Sequence, residues 1–266
     1  MKLFLYEQLK MKAKKTATIR FYEELNDFLH KKNKKRDIVV YFFNHPSVKD
    51  MIESFGVPHT EVDLILVNGN SVEFDYHLGP DDRISVYPKF ESFNIQEITK
   101  LRKSPLRNIK FILDVHLGKL AKYLRLLGFD TIYQNKMDDA SIVNQSKKER
   151  RIILTRDIGI LKRNRVQHGY YVRSDDPKNQ IKEIIQRFDL KNSISPFSRC
   201  LECNGLLKKV SKKEVENSLD AATKKYFTTF FMCTQCEKIY WKGSHYKQMA
   251  EFLREIIDID TPTEDN

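Results

Sequence analysis

The stretch FILDVHLGKLAKYLRLLGFDTIY, residues 111–133, decides the fold of this chain. An apolar strand ends at Asp114, and apolar residues then recur at the spacing of an amphipathic helix. Gly128 is placed to end that helix, and a second strand is predicted over residues 129–133. A strand, a helix and a strand joined this closely favour a right-handed parallel unit. Asp114 would then lie at the carboxyl edge of a sheet, where α/β proteins usually keep their functional side chains.

Two later strands are predicted to end in acids in the same way. RIILTRD ends at Asp157, and HGYYVRSDD ends at Asp175 and Asp176. Because Pro177 suits the first position of a following helix, Asp176 is predicted to be its N-cap, which leaves Asp175 as the functional candidate. Carboxylates gathered at one edge repel one another unless a cation compensates, and oxygen ligands suit Mg²⁺ or Mn²⁺. The pattern predicts a metal-dependent nuclease, although any one of these acids alone is more typical of a cap or turn.

A third pair of acids, Asp138 and Asp139, begins a helix predicted within DDASIVNQSKKERR. One of the two is expected to cap this helix, and the other is a candidate to join the carboxylates. Basic side chains near the acids are candidates for holding a substrate backbone, although each of them alone is more typical of a solvated basic face. The candidates are Lys119, Lys122, Arg125, Arg156, Lys162 and Arg163.

The net charge of +11 is concentrated in one part of the chain. Residues 1–91 hold 14 Lys and Arg against 14 Asp and Glu, whereas residues 92–266 hold 33 against 22. This asymmetry favours a polyanion as the partner of the second part, with nucleic acid the first candidate and plain solubility the alternative. No apolar run reaches the roughly 20 residues of a membrane span, and MKLFLYEQLK lacks the apolar core of a signal peptide. We therefore expect no membrane partner and a cytoplasmic protein.

Residues 1–91 are predicted to form a separate domain of four strands and one helix. The strands are expected within ATIRF, DIVVYFF, VDLILVNGNSV and DRISVYP. The helix is expected within SVKDMIESFGVP after Ser47 as N-cap, and Asn68 with Gly69 marks a hairpin turn. The order strand, strand, helix, strand, strand favours a β-grasp, ubiquitin-like fold. The neutral charge of this domain favours a passive or protein-docking role over contact with nucleic acid.

All four cysteines occur in two C-x-x-C pairs. Cys200 with Cys203 and Cys233 with Cys236 supply four thiolates, enough for a tetrahedral structural zinc site. The pairs are separated by 29 residues, so we predict a zinc ribbon with an inserted segment. A closed four-cysteine site leaves no position for a substrate. Redox pairs or disulfides are the alternatives, but neither pair opens a helix after a strand as in thioredoxin-like proteins.

Two aromatic residues follow the second cysteine pair, and lysines are frequent around it. Tyr240 and Trp241 would extend an RNA-binding surface, because bases stack on aromatic rings between basic groups. Equally, the two rings would cover the zinc site. The sequence does not separate these alternatives.

The quoted segments, together with MDDASIV, IILTRD and VRSDDP, resemble the Mut-seven C-terminal ribonuclease family, a branch of the PIN-domain nucleases. The resemblance implies RNA as substrate and a divalent-metal site formed by Asp114, Asp139, Asp157 and Asp175. It also implies an N-terminal ubiquitin-like region, in agreement with the predicted β-grasp domain. Many relatives have a Glu directly after the first acid, whereas this chain has Val115, so no role of that second acid is carried over.

The predicted architecture is α/β, with a PIN-like parallel sheet and helices between a β-grasp domain and a zinc ribbon. The boundaries are 1–91 for the β-grasp domain, 92–108 for a linker, 109–196 for the nuclease, 197–255 for the zinc ribbon and 256–266 for an acidic tail. The predicted function is a cytoplasmic RNase with structural Zn²⁺ and catalytic Mg²⁺ or Mn²⁺. One alternative is a non-catalytic RNA- or ribosome-binding protein that uses the same basic surface. The other is a nuclease held inactive until its β-grasp domain binds a protein partner.

Overall fold

The computed structural model describes residues 15–88, 99–101 and 109–257. Most of the predicted linker and most of the predicted acidic tail lie outside these ranges. Contacts divide the chain into two compact units. The first unit combines the described part of residues 1–107 with Asp157–Tyr171, and the second unit combines residues 108–156 with the described part of residues 172–266. The segment 157–171, predicted as part of the nuclease domain, is therefore grouped with the β-grasp domain.

The first unit is built on a five-stranded sheet. Its strands are β1 (Lys15–Phe21), β2 (Ile38–Phe42), β3 (Val62–Val67), β4 (Asn70–Ser71) and β5 (Asp82–Pro88), and its first helix is α1 (Val48–Ser54). The strand order is β2-β1-β5-β3-β4. β1 and β5 run parallel, and the other neighbouring pairs are antiparallel. This mixed sheet, with α1 packed in its core, confirms the predicted β-grasp fold.

Local sequence signals explain the elements of this sheet. In β1 the side chains of Ala17, Ile19 and Phe21 are buried and alternate with half-exposed ones, as expected for a strand with one face on the core. The Ser47 hydroxyl accepts a hydrogen bond from the Asp50 N–H at 3.1 Å, which confirms the predicted N-cap of α1. The turn at residues 68–69 has two positive φ angles, 51° and 84°, as a tight hairpin turn requires.

The predicted linker has three described residues, and they contact the β-grasp domain. The Thr99 hydroxyl donates to the main-chain carbonyl of Asp63, and Thr99 is buried. Leu101 packs against the apolar core of the first unit. This part of the predicted linker is therefore held against the domain that precedes it.

The second sheet is parallel and contains the stretch that decides the fold. Its strands are β6 (Phe111–Leu113), β7 (Thr131–Ile132), β8 (Ile152–Thr155) and β9 (Gly169–Tyr171), and the order is β7-β6-β8-β9. The helices of this part of the chain are α2 (Gly118–Leu126), α3 (Asp139–Glu149), α4 (Ile158–Leu161) and α5 (Pro177–Arg187). β6 pairs in parallel with β7 and with β8. The predicted unit of strand, helix and strand is confirmed as β6, α2 and β7.

β7 is shorter than the predicted strand over residues 129–133. The main-chain N–H of Phe129 donates to the Leu124 carbonyl at 2.9 Å, so this residue completes the end of α2 and does not join the sheet. Gly128, which lies between the helix and the strand, has a φ of +94°. The predicted helix end at this glycine is confirmed.

The cysteine region forms a small antiparallel sheet. Its strands are β10 (Leu207–Val210), β11 (Phe230–Cys233) and β12 (Ile239–Trp241), in that order across the sheet. The inserted segment contains two short helices, α6 (Lys212–Val215) and α7 (Ala221–Tyr226). Val210, Val215, Leu219 and Phe230 form the buried core of this ribbon.

A further helix, α8 (Ser244–Ile257), follows the ribbon and was not predicted as a helix. It packs on the parallel-sheet part of the second unit, because the rings of Phe252 and Tyr123 lie 4.3 Å apart and Glu255 pairs with Lys178 at 2.8 Å. α8 also extends past residue 255, where the acidic tail was predicted to begin. Across the described ranges, no helix has the length and apolar composition needed to cross a membrane.

Gly128→Ala is expected to destabilise the protein more than Gly69→Ala. Both glycines have positive φ, which costs an L-residue about 1–2 kcal/mol. A Cβ at Gly128 would also lie 2.3 Å from the Ser195 carbonyl oxygen, whereas a Cβ at Gly69 meets no atom within 4 Å. Urea unfolding followed by circular dichroism should show a larger loss of unfolding free energy for the first variant. Equal losses would contradict this packing at the end of α2.

Candidate functional site

Asp114 lies at the carboxyl end of β6, and only 3% of its surface is exposed. Its Oδ1 accepts a hydrogen bond from the His116 N–H at 2.8 Å. Its Oδ2 accepts from the Arg156 N–H at 3.0 Å and from the Thr155 hydroxyl. Because β6 and β8 are parallel neighbours, their carboxyl ends meet, and the Asp114 carboxylate joins these two ends. The acid therefore lies at the sheet edge that the sequence predicts.

Arg156 connects the end of β8 with the turn that contains Asp175. Its Nη1 donates to three successive main-chain carbonyls, those of residues 172–174, at 3.0, 2.8 and 2.7 Å. Its guanidinium also forms an ion pair with the Asp175 carboxylate, whose side chain is 89% exposed. Arg156 thus contacts Asp114 through its main chain and Asp175 through its side chain. Its positive charge compensates part of the repulsion between these acids.

The structure separates the roles of the two adjacent acids at the start of α3. Asp138 is the N-cap, because Oδ1 accepts from the Ser141 N–H at 2.9 Å and Oδ2 from the Ser141 hydroxyl at 2.7 Å. These hydrogen bonds hold the pKa of Asp138 below its usual value. Asp139 is the first residue of the helix and is half-buried. Asp139 is therefore the acid of this pair that remains a candidate ligand.

The two adjacent acids before α5, Asp175 and Asp176, also have different roles. Asp176 is the N-cap, since its Oδ1 accepts from the N–H groups of Lys178 and Asn179 at 3.0 Å each. Pro177 occupies the first turn of the helix. The predicted N-cap is confirmed, and Asp175 remains the candidate ligand.

Asp157 belongs to the first unit and is exposed. It caps the short helix α4, because its Oδ1 accepts from the Gly159 N–H at 2.7 Å. In the sequence it follows Arg156 directly. Among the described residues, the one set of three or more His, Cys, Asp or Glu side chains whose ligand atoms all lie within 4.8 Å of one another consists of the four cysteines.

The prediction that Arg125 belongs to an exposed basic face of α2 is wrong. The side chain is 4% exposed, and burial lowers its pKa. Its Nε donates to the Thr131 carbonyl at 2.9 Å, and its Nη1 donates to the carbonyls of Leu201 and Glu202 at 2.9 and 2.8 Å. Arg125 therefore joins α2, the edge strand β7 and the first cysteine pair.

The other predicted substrate-binding residues fall into two groups. Arg156 donates to the carbonyls described above, and Lys162 donates its Nζ to the Glu53 carbonyl at 2.8 Å within the first unit. These two side chains hold parts of the protein together. Lys119, Lys122 and Arg163 are exposed and stay candidates for contact with a substrate.

The four cysteines lie close enough together to hold a zinc ion. The Sγ atoms of Cys200 and Cys236 are 3.6 Å apart, and those of Cys203 and Cys233 are 3.3 Å apart. Main-chain N–H groups of residues 235 and 236 donate to Cys233 Sγ at 3.4 and 3.5 Å. Thiolate ligands with N–H donors are typical of structural zinc sites.

Tyr240 lies directly beside this cluster. Its hydroxyl oxygen is 3.1 Å from Cys200 Sγ and accepts from the Leu201 N–H at 3.2 Å. Burial raises the pKa of the Cys200 thiol, but the hydrogen bond from Tyr240 and nearby main-chain N–H groups outweigh burial and lower the pKa to about 6. Burial and the neighbouring thiols raise the pKa of Cys203 to about 12. Four thiols at these distances ionise together when a divalent cation compensates their charge.

The first cysteine pair is attached to the amino edge of the parallel sheet. Asn204 accepts from the Thr131 N–H at 2.9 Å and donates to the Asp130 carboxylate at 2.8 Å. The same carboxylate pairs with the buried Arg151 at 2.7 Å, and this ion pair holds the pKa of Asp130 low although burial opposes it. Asp114 lies at the carboxyl edge, so the cysteines and Asp114 occupy opposite edges of one sheet.

In the first unit, the β-grasp domain contacts the segment that begins with Asp157. The His59 ring lies between the Glu53 carboxylate at 2.7 Å and the Val166 carbonyl at 2.9 Å. The carboxylate of Glu61, which is 1% exposed, accepts from the Tyr171 N–H at 2.6 Å. These residues were not identified from the sequence, because isolated polar residues before a strand have no periodic signal.

Two family models match the chain. The model described as the Mut7-C RNAse domain matches residues 109–253, which is more than half of the chain. The chain belongs to the Mut7-C RNase family. A second model, described as Mut7-C ubiquitin, matches residues 14–94 and coincides with the β-grasp domain. The suspected family and its ubiquitin-like region are therefore confirmed. Comparisons with curated proteins and with solved structures gave no match.

Arg125→Met is expected to lower the free energy of unfolding by about 2–4 kcal/mol, because three main-chain carbonyls would lose the donor that the buried guanidinium supplies. The first cysteine pair would also be less firmly held, so zinc should be lost to a chelator at a lower concentration. Lys122→Met on the exposed side of the same helix is the matched control. Unfolding curves and chelator titrations that do not distinguish the two variants would contradict the assigned role of Arg125.

Tyr240→Phe is expected to weaken zinc binding roughly 10-fold or more, because a group that hydrogen-bonds a metal ligand has effects of this size. The change removes the hydroxyl beside Cys200 and keeps the ring. Tyr226→Phe, at a tyrosine that is 70% exposed, is the control. Competition with a chromogenic zinc chelator measures both affinities. A Tyr240→Phe variant with unchanged affinity would show that the hydroxyl does not support the site.

Proposed function

We propose that the chain is a divalent-metal-dependent RNase that hydrolyses phosphodiester bonds of RNA. The proposed ligands of Mg²⁺ or Mn²⁺ are Asp114, Asp139, Asp157 and Asp175. Membership of the Mut7-C RNase family supports RNA as the substrate class. The observation that carries the proposal is the arrangement at the carboxyl edge, where Arg156 contacts both Asp114 and Asp175.

The side chains at this edge have the chemistry that such a cation needs. Oxygen ligands suit Mg²⁺ and Mn²⁺. A carboxylate has about four acceptor positions, and Asp114 uses three of them for hydrogen bonds, so one remains for a ligand. Asp175 presents its carboxylate to solvent next to a fixed guanidinium. The residues therefore fit a hard cation.

The acids, the basic residues and the cysteines then have separate proposed roles. A divalent cation held at these acids supplies Lewis acidity for the attack of water on the phosphodiester. Asp114 is fixed by the strand ends, and Arg156 sets the position of Asp175. Lys119, Lys122 and Arg163 are proposed to hold RNA phosphates, since all three are exposed cations. The four cysteines are proposed to bind a structural Zn²⁺ at the opposite edge of the sheet.

We further propose a cellular compartment for the protein and a partner for its β-grasp domain. We place it in the cytoplasm, because its four cysteines are arranged as free thiol ligands, as expected in a reducing compartment. A protein partner is proposed for the β-grasp domain. Val39 and Tyr41 on the edge strand β2 are 56% and 60% exposed and would contact such a partner.

One alternative has an observation in its favour. In the non-catalytic reading, the same basic surface binds RNA or the ribosome without cleavage. The ion pair between Arg156 and Asp175 and the three hydrogen bonds to Asp114 favour this reading, because they compensate part of the charge of both acids without a cation. An RNA cleavage assay distinguishes the two functions directly.

Cleavage of a mixed RNA pool with Mn²⁺ or Mg²⁺ tests the proposal. Asp114→Asn and Asp157→Asn are each expected to reduce the rate at least about 100-fold, because loss of a fixed charge at a phosphoryl-transfer site costs several kcal/mol of transition-state stabilisation. Binding of the same RNA should persist in both variants. A wild-type protein that binds RNA and cuts none with either metal would establish the non-catalytic alternative.

Adjacent acids supply the matched controls. Asp139→Asn and Asp175→Asn should lower the rate strongly, whereas Asp138→Asn and Asp176→Asn should leave it nearly unchanged, because Asn caps a helix as well as Asp does. Circular dichroism verifies that all four variants are folded. Equal losses of cleavage rate for the two variants of an adjacent pair would contradict the assignment of one acid as a metal ligand and the other as a helix cap.

A further inference from the structure

The second unit contains an apolar cavity of about 260 Å³ that the proposed cleavage chemistry does not use. It lies between the ribbon sheet, the start of α8 and the segment that precedes the first cysteine pair. Five of its twelve lining residues are aromatic. The rings and the aliphatic side chain that matter here belong to Phe197, Leu207, Phe231, Tyr240 and Tyr246.

The aromatic side chains of the cavity occur as two neighbouring pairs. The rings of Phe197 and Tyr246 lie 4.4 Å apart at 34°, and both side chains are half-buried. Phe231 and Tyr240 are directly paired across β11 and β12, so they share one face of the ribbon sheet. The Tyr240 hydroxyl also forms a hydrogen bond with Cys200 Sγ at 3.1 Å. The cysteine site therefore fixes one wall of the cavity.

Positive charge lies at the rim of the cavity. Lys209 is paired with Phe231 across β10 and β11, so it lies on the same sheet face as the aromatic pair, and it is exposed. Lys242 lines the cavity, with its Nζ 5.8 Å from the centroid of the Tyr246 ring. Aromatic rings beside exposed cations match the two parts of a nucleotide, the flat base and the anionic phosphate.

We propose that this cavity binds one unstacked base of single-stranded RNA. The proposal rests on RNA being the substrate and adds a binding site away from the carboxylates. An aliphatic peptide side chain would also fill an apolar cavity. The aromatic lining and the lysines at the rim favour a base with its phosphates, and residues 92–266 hold 33 basic residues against 22 acidic ones.

Helix α8 runs from the cavity to the start of α5, which lies near the carboxyl edge of the parallel sheet. Tyr246 lines the cavity, and Glu255, nine residues further along the helix, pairs with Lys178 in the first turn of α5. Nine helical residues span about 14 Å. That turn directly follows Asp175 and its neighbouring N-cap. The cavity and the start of α5, next to the proposed cleavage site, are therefore about one such helix length apart.

Trp241, the one tryptophan of the chain, follows Tyr240 directly and borders the cavity, and its side chain packs on the ribbon core on the other face of the sheet, so its fluorescence reports on a bound base indirectly. The full-length, zinc-loaded protein is titrated with a single-stranded RNA of about 12 nucleotides without added Mg²⁺ or Mn²⁺. A base bound beside Tyr240 is expected to quench the fluorescence of the adjacent Trp241. An abasic ribose-phosphate chain of equal length and charge is expected to bind more weakly and to leave the fluorescence unchanged. Equal quenching or equal affinity for the two chains would overturn the proposal.

Tyr246→Leu and Tyr226→Leu form the matched pair of variants. Both tyrosines reach solvent, but only the first lines the cavity. Tyr246→Leu is expected to weaken RNA binding roughly 5- to 150-fold, the range measured for loss of one base-stacking contact, and Tyr226→Leu should have no effect. Zinc content and circular dichroism confirm folding, and Met249→Trp, which fills the cavity, is a second blocking variant.

The outcome is independent of cleavage. RNA that is cut normally while Tyr246→Leu and Met249→Trp bind it like wild type would overturn the cavity assignment and leave the proposed function intact. Base-dependent quenching without any cleavage would support the cavity and contradict the nuclease. An apolar peptide that binds in the cavity while RNA does not would assign this surface to a protein partner and overturn the proposal.

Discussion

The buried guanidinium of Arg125 is the interaction on which the second unit depends. A buried charge is costly unless each of its donors has a partner, and here the partners are main-chain carbonyls from two separate parts of the chain. One carbonyl belongs to the edge strand β7, and the other two belong to the first cysteine pair. The helix that follows Asp114 therefore ends in a contact that requires the cysteine region to be in place.

The same helix separates two kinds of chemistry. It begins just after Asp114 at the carboxyl edge of the sheet and ends at the amino edge, where Asn204, Asp130 and Arg151 form a hydrogen-bonded network. The four thiols are thus kept at one edge and the Asp114 carboxylate at the other. Zinc and magnesium prefer different ligands, so the two proposed metal sites are kept apart.

Local patterns were sufficient to predict most elements and their ends. Apolar periodicity located α2, the residues before Pro177 gave the N-cap of α5, and Gly128 ended its helix because few other residues tolerate a φ of +94°. The cysteine spacing predicted the cluster, since both pairs are short local motifs. These features depend on neighbours within a few residues, which is the range over which sequence patterns carry information.

Contacts between distant residues were beyond such patterns. Arg125 lies among lysines in a helical repeat, and its burial is decided by carbonyls more than 70 residues later in the chain. The ion pair of Arg156 with Asp175 likewise depends on how a later turn folds back. Helix α8 was missed although Tyr246, Met249 and Leu253 recur at helical spacing, because the ribbon was expected to extend through that segment.

The discontinuous first unit has a consequence for protein synthesis. Its β-grasp sheet is complete by residue 88, but the segment 157–171 that contacts His59 and Glu61 leaves the ribosome later. At 5–20 residues per second, translation from residue 107 to residue 171 takes roughly 3–13 s. During that interval the emerging domain displays the surface that segment 157–171 later covers. This surface is then accessible to chaperones, and full compaction of the first unit waits until residue 171 has been made.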